Sequence, residues 1–278
     1  LQDCSVSVLP GHVTALVGPN GAGKTTLLKL LVGLSVPSSG QAEVLGHVPD
    51  QSEEFLASIG YLAQDVPLYK RLSAEDHLRI GAHLNIDWDA DAARERLAAL
   101  RIPTNRPVAT LSGGQRAQVG LSLVLAKRPK VLLLDEPMAT LDPLARREFL
   151  ESLTGAVADG GLSVVISSHL LHDLERVCDH LILLSASRTQ MCGAIDGLLA
   201  EHRSLVGPRR GLNEIEPGLK VIKATQTTKQ TRLLVRVSGP ILDPSWEVDE
   251  VGLEDIVLAY MELDGGLAEG QLVQIGTR

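Results

Sequence analysis

The sequence is organised around one glycine-rich segment, which reads Gly18-Pro19-Asn20-Gly21-Ala22-Gly23-Lys24-Thr25-Thr26. An apolar run at 13–17 precedes it, and a run with the apolar pattern of a helix follows at 27–34. The segment is therefore predicted to join a strand to a helix. Its spacing, a glycine followed by four residues and then Gly-Lys-Thr, is typical of a phosphate-binding loop.

The chemistry of this segment favours a nucleoside triphosphate as its ligand. Glycines let the backbone turn tightly with its N–H groups facing inward, and the dipole of the following helix also attracts an anion. Lys24 is predicted to contact the β- and γ-phosphates, and the hydroxyl of Thr25 to bind Mg²⁺. At a glycine usage of about 7%, chance produces the four fixed positions in roughly one chain per hundred, so a coincidental turn is the weaker interpretation.

A second motif, Leu111-Ser112-Gly113-Gly114-Gln115, opens a segment whose apolar positions indicate a mostly buried helix. Ser112 is placed to cap this helix, and the two glycines leave backbone N–H groups open to an anion. At this point the chain resembles the ATP-binding cassette family, whose signature sequence is LSGGQ. The resemblance implies that Ser112, Gly113, Gly114 and Gln115 close over the γ-phosphate held by a second copy, so that the ATP-bound state is a homodimer.

An apolar strand candidate ends in two acids, in the sequence Val131-Leu132-Leu133-Leu134-Asp135-Glu136-Pro137. Such a strand is typical of the centre of a parallel sheet, where side chains are delivered at the carboxyl end. Asp135 is suited to coordinate Mg²⁺, and Glu136 to polarise the attacking water as general base. Acids that merely terminate a strand are the alternative, but the motif roughly twenty residues upstream favours the catalytic interpretation.

Two further side chains follow strand candidates and match positions of the family. Gln64 comes after the candidate at 59–63, and His169 follows the one at 162–167. The resemblance implies that Gln64 contacts Mg²⁺ or the attacking water at a flexible joint. It also implies that His169 donates to the γ-phosphate and holds the water against Glu136. Without the other motifs, Gln64 would be interpreted only as the polar end of a strand.

The segment Thr140-Leu141-Asp142-Pro143 has two compatible interpretations. The resemblance places Asp142 in the loop that crosses the dimer interface and links the two ATP sites. Asp142 is also suited to cap a helix at 143–153, with proline in its favoured first position. Together the motifs imply ATP and Mg²⁺ as cofactors, with the metal held through ATP by Thr25, Gln64 and Asp135.

Composition and charge restrict the classes of function. The net charge of −8 argues against binding held mainly by nucleic-acid phosphates, which needs a basic face. We therefore expect no nucleic-acid partner. No apolar run approaches the ~18 residues of a membrane span, so a membrane role is predicted to depend on a partner. The three cysteines have no paired spacing, which predicts a reducing compartment and no disulfide framework.

A metal site is the alternative interpretation of one stretch with several metal-capable side chains: His169, His172, Asp173, Cys178, Asp179 and His180. Residues 172–180 also fit an amphipathic helix, and no set of four ligands has a familiar spacing. The helix is therefore the favoured interpretation.

The predicted fold class is α/β, with a phosphate-loop core containing a mixed sheet, an inserted helical subdomain and a small C-terminal α+β extension. The predicted ATP-binding domain spans 1–205, with its helical subdomain at about 65–127, and a linker follows at 206–218. A small accessory domain is predicted at 219–264, and the tail at 265–278 is assigned no structure. The chain starts at Leu1 in a strand-forming region at 1–9. We therefore expect that the native N-terminus, with the aromatic residue that stacks on adenine in this family, lies upstream.

The resemblance implies an ATP-hydrolysing subunit that powers transport through a separate transmembrane permease, at the cytoplasmic face of the membrane. The segment at 65–69 corresponds to the region where the family meets its membrane partner. Similarity at 246–248 and 253–261 to bacterial export-type (ABC-2) cassettes favours export over import. The alternative is a soluble cassette ATPase that acts on DNA or ribosomes. Cassette ATPases of DNA repair carry hundreds of coiled-coil residues between the phosphate loop and the signature. That form is excluded here, because under about a hundred residues separate the two motifs.

Overall fold

The computed structural model describes residues 1–158, 160–211, 215, 219–264 and 273–274. Most of the tail at 265–278, and the predicted turn at 216–218, lie outside the described residues. Within them the chain forms two sheets and a set of helices. No helix in this part of the chain combines the length and apolar character needed to cross a membrane.

The first sheet carries the site. In chain order its strands are β1 (Val13–Val17), β2 (Ile59–Leu62), β3 (Val131–Leu134), β4 (Ser163–Ser168), β5 (His180–Ser185) and β6 (Arg188–Ala194). Their order across the sheet is β2-β3-β4-β1-β5-β6, and all neighbours run parallel except β5 and β6. Every residue of β1, β3 and β4 is buried, as expected for apolar strands covered on both faces.

Helices cover this sheet and form an insertion between β2 and β3. They are α1 (Lys24–Leu31), α2 (Glu53–Ser58), α3 (Ala74–Leu84), α4 (Ala90–Ala99), α5 (Gly113–Ala126), α6 (Pro143–Ala158), α7 (Leu171–Leu174), α8 (Ile195–Glu201) and α9 (Leu253–Asp264). The insertion comprises α3, α4 and α5, which pack on one another. Its own small core includes Leu97, Val108 and Val119, all almost fully buried. The mixed-sheet fold with an inserted helical subdomain is thus confirmed.

Two local predictions differ from the structure. Residues 1–9 are not a strand, although Cys4, Val6 and Val8 alternate toward the core as a strand would. The alternation predicts an extended backbone but cannot supply a neighbouring strand to pair with. The helix predicted at 172–180 is reduced to α7, because the chain must turn after Leu174 to begin β5 at His180.

The second sheet begins earlier than the sequence predicts. Its strands are β7 (His202–Pro208), β8 (Leu219–Gln226), β9 (Gln230–Val237), β10 (Glu247–Asp249) and β11 (Val273–Gln274), in the order β10-β7-β9-β8-β11. The linker predicted at 206–218 is wrong in its first three residues, because Val206 to Pro208 pair with Arg232 to Gln230 of β9. Helix α9 buries Ile256 and Val257 in the core cluster of the first sheet, so the two sheets share apolar packing through this helix.

Replacing one buried aromatic side chain tests the packing of the main core. Phe149 of α6 is completely buried in the cluster that includes strands β1, β3 and β4. We expect Phe149→Ala to lower the free energy of unfolding by about 3–5 kcal/mol, since it removes contacts and leaves a cavity. Urea denaturation followed by circular dichroism measures this loss. Glu148→Ala, at an exposed position of the same helix, is the control, and an equal midpoint for both variants would contradict the described packing.

Candidate functional site

The phosphate-loop segment connects β1 to α1, as predicted. Gly23 caps α1 with φ of 103°, a left-handed conformation that glycine adopts without the steric penalty of a side chain. A Cβ atom at Gly18 would lie 2.2 Å from the carbonyl oxygen of Leu184, so only glycine fits there. These two constraints explain why the segment needs glycine where it meets the strand and the helix.

Lys24 is the buried cation of the site. Its Nζ donates to the carbonyl oxygens of Gly18, at 2.7 Å, and Pro19, at 3.3 Å. The same atom lies 3.0 Å from Oε1 of Glu136, and both side chains are less than one tenth exposed. A buried charge is costly unless it is paired, and here the lysine of the loop is paired with the predicted general base.

Asp135 is held by two hydroxyl groups and keeps one oxygen available. Thr25 Oγ1 and Ser167 Oγ each donate to Asp135 Oδ1 at 3.0 Å. Asp135 is 1% exposed, yet its Oδ2 has no hydrogen-bond partner among the described residues. The pKa of Tyr61 is raised to about 12, mainly by burial and also by the negative charge of Asp135. A buried carboxylate oxygen beside the Thr25 hydroxyl is a donor set that suits Mg²⁺, which prefers oxygen ligands.

Glu136 joins the lysine to His169. Its Oε2 lies 2.8 Å from His169 Nδ1, which must be the donor because a carboxylate only accepts. The backbone of Glu136 has φ of 47°, a strained conformation for a residue with a side chain, and its N–H donates to Ser167 Oγ at 2.8 Å. Ser167 thus positions both acids, a role that the sequence did not reveal, since a serine in a buried strand carries no distinctive signal.

A cavity of about 490 Å³ brings most of the predicted residues together. Its lining comprises Asn20, Gly21, Gly23, Lys24, Thr25, Thr26, Gln64, Glu136, Ala139 and His169. Asp135 lies behind Thr25, while Ala22 is buried in the core and packs under the loop. The cavity therefore combines the loop, the base, the histidine and the glutamine that the sequence predicts at one site.

The signature motif lies elsewhere in the chain. Ser112 is exposed and caps α5 reciprocally with Gln115, at 3.1 Å and 3.0 Å. Asp142 accepts from the backbone N–H groups of Leu144 and Ala145 at 3.0 Å, so it does cap α6. Ser112, Gly114, Gln115 and Asp142 line a second cavity of about 620 Å³. In the described part of the chain, this cavity has no lining residue in common with the cavity at Lys24.

The six metal-capable side chains between His169 and His180 do not converge. His169 pairs with Glu136, and Asp173 pairs with Arg146 at 3.3 Å. Cys178 is buried, and burial raises the pKa of its thiol to about 12, which disfavours the thiolate that metals bind. Asp179 and His180 instead lie beside His12, at the opposite end of β1 from the phosphate loop.

Comparison with known proteins agrees with this arrangement. Residues 1–139 match the family model described as ABC transporter. The chain is 35% identical over 215 residues to the uncharacterized ABC transporter ATP-binding protein all4389 of Nostoc, which covers 73% of this chain and 62% of that relative. It is 32% identical over 204 residues to the thiamine import ATP-binding protein ThiQ of Vibrio parahaemolyticus, covering 72% of this chain and 87% of ThiQ.

A solved structure gives the same result for the fold. It is the ATP-binding subunit of an ABC transporter, 30% identical, with a TM-score of 0.62 over 72% of this chain and 85% of that one. The chain spans less than two thirds of the length of the Nostoc relative, but it covers most of ThiQ and of the solved subunit. The chain therefore belongs to the ABC transporter family and contains one of that family's ATP-binding, ATP-hydrolysing domains.

Proposed function

We propose that this chain is the ATP-hydrolysing subunit of an exporter, in which two copies enclose two MgATP and drive a separate membrane permease. The observation that carries the proposal is the division of the ATP-site motifs between two separate cavities of one chain. A second copy is needed to bring the Ser112 cavity of one chain against the Lys24 cavity of the other. ATP binding then favours closure, and hydrolysis permits opening.

The side chains of the Lys24 cavity have distinct roles in hydrolysis. Lys24 and the loop N–H groups bind the β- and γ-phosphates. Thr25, Gln64 and Asp135 would hold Mg²⁺, which would neutralise charge on the phosphates. The γ-phosphate competes with Glu136 for the Lys24 ammonium. Loss of that 3.0 Å ion pair leaves the carboxylate free to accept a proton from the attacking water. His169, which donates to Glu136, supplies a further donor for the γ-phosphate.

The loop after β2 is the proposed contact for the permease. Asp65 and Val66 have left-handed φ values of 66° and 44°, and Tyr69 is 70% exposed. A groove of about 750 Å³ is lined both by residues 65–68 and by Glu136 and its neighbours. A partner bound at this loop therefore lies close to Glu136, and exposed Tyr69 provides an aromatic anchor of the kind enriched at interfaces.

The proposed direction of transport, export, rests on the resemblance of residues 246–248 and 253–261 to export-type cassettes. Trp246, in the segment similar to export-type cassettes, is buried in the apolar cluster of the second sheet, and α9 joins this sheet to the main core.

The charge of the chain favours transport over the alternative of a soluble ATPase acting on DNA or ribosomes, and its cysteines fit a cytoplasmic location. Nucleic-acid binding is not favoured by a net charge of −8. The described cysteines Cys4, Cys178 and Cys192 are free thiols, which suits the reducing cytoplasm. We therefore place the chain on the cytoplasmic face of the cell membrane, held there by its permease.

The general base is tested by removing its charge. We expect Glu136→Gln to retain ATP binding but to reduce the steady-state rate of ATP hydrolysis by at least about a hundredfold, because the amide cannot accept the proton. The variant should also accumulate as an ATP-bound dimer in size-exclusion chromatography. Glu95→Gln, at an exposed position of α4, is the control. ATP hydrolysis by Glu136→Gln at the wild-type rate would remove Glu136 from this role.

The positioning role of Ser167 is tested by deleting its hydroxyl. Ser167→Ala removes the donor to Asp135 and the acceptor for the Glu136 N–H, two buried hydrogen bonds worth about 1–3 kcal/mol each when one partner is lost. We expect kcat to fall about tenfold or more with a smaller change in ATP affinity measured by calorimetry.

The matched control for this variant is Ser163→Ala, at the opposite end of β4, where the hydroxyl accepts from Gly11 N–H. Thermal unfolding of both variants separates a catalytic effect from a loss of stability. Equal kcat values for the two variants would show that Ser167 serves only the fold.

A further inference from the structure

Three metal-capable side chains meet where β1 and β5 begin. His12 Nδ1 lies 2.7 Å from Asp179 Oδ2, and His180 Nδ1 lies 3.1 Å from Asp179 Oδ1. The two imidazole rings are 4.5 Å apart at an interplanar angle of 64°. One potential ligand atom from each residue lies within 4.8 Å of the other two, so the cluster needs little rearrangement to surround one ion.

The backbone fixes this cluster in place. Val13 N–H donates to Asp179 Oδ1 at 3.1 Å, and Asp179 N–H donates to the carbonyl oxygen of Val13 at 3.0 Å. Thr14 and His180 are partners in the parallel pairing of β1 and β5. The carbonyl oxygen of His12 accepts from Val164 N–H at 2.9 Å. Because backbone hydrogen bonds hold the chain on both sides of the cluster, ligand binding requires only movements of side chains, which lowers its entropic cost.

We propose that His12, Asp179 and His180 form a binding site for a divalent transition-metal ion, with Zn²⁺ as its representative. Two imidazole nitrogens and one carboxylate oxygen suit Zn²⁺ better than Mg²⁺, which prefers oxygen ligands alone. An imidazole binds a metal ion through an unprotonated ring nitrogen, so the ion takes the place of the present contacts between the two imidazoles and the carboxylate.

The surroundings of the cluster leave one coordination position open. The side chains of His12, Asp179 and His180 are 40%, 52% and 16% exposed. A water molecule or a group from a partner can therefore complete a tetrahedral site with three protein ligands. The five residues of β1 separate this cluster from the phosphate loop by roughly 16 Å. The inference is thus independent of the function proposed for the Lys24 cavity.

The experiment is a calorimetric titration of the untagged chain with Zn²⁺ in the absence of nucleotide. We expect saturable binding of one ion per chain at this cluster. His12→Ala and His180→Ala should each weaken Zn²⁺ binding by at least about tenfold. Loss of a residue that only hydrogen-bonds a metal ligand already has an effect of about this size. Zn²⁺ should also raise the unfolding temperature of the wild type more than that of these variants, because the three ligands are brought together only in the folded state.

Two controls separate this site from other zinc-binding groups. His83→Ala removes an exposed histidine of α3 and should leave the affinity for Zn²⁺ unchanged. His169→Ala removes the imidazole of the Lys24 cavity and should also leave this binding event in place. Circular dichroism establishes that each variant is folded, and His12→Gln replaces His12→Ala if it is not. The proposal is overturned if the wild type shows no saturable binding at micromolar Zn²⁺, or if a folded double variant at positions 12 and 180 binds as tightly as the wild type.

Discussion

The parallel pairing of β3, β4 and β1 is the constraint on which the site depends. Its register sets Leu134 beside Ile166 and Leu16 beside Ser167, so the residues that follow each strand emerge at one edge of the sheet. Asp135, Ser167 and the phosphate loop meet there although the sequence separates them widely. Their buried charges are tolerable because each has a partner: Lys24 has Glu136, and Asp135 has two hydroxyl groups.

This arrangement links binding to catalysis through one shared cation. Lys24 neutralises Glu136, and a triphosphate that takes the ammonium changes the environment of the carboxylate that is proposed to act as base. The groove behind Glu136 reaches the exposed loop at 65–68, so the same carboxylate also lies next to the proposed permease contact. Ser112 lines a separate cavity that shares no described residue with the Lys24 cavity, although Gly113 of the same motif lines the groove behind Glu136. Closure against a second copy is proposed to bring Ser112 to the ATP site.

The sequence predicted the parts of the site that consist of contiguous motifs. The loop at 18–26, Asp135 and Glu136 each lie in a pattern whose spacing is itself the signal. Ser167 was missed because its role arises only from the register of β4 beside β3. The cluster of His12 with Asp179 was missed for the same reason, since 167 positions separate the two residues. The start of the second sheet was misplaced because β7 follows α8 directly, with no glycine or proline to mark the boundary.

The central claim is that each ATP site is built from Lys24 of one chain and Ser112 of another. Mixing a Lys24→Ala variant with a Ser112→Arg variant tests it, because each is expected to be inactive alone while a mixed pair contains one intact site. The account predicts that ATP hydrolysis appears on mixing and increases with the fraction of mixed pairs, measured by cross-linking of differently labelled chains. Mixed pairs that form but hydrolyse no ATP, together with activity of wild-type chains shown to be monomeric, would contradict it.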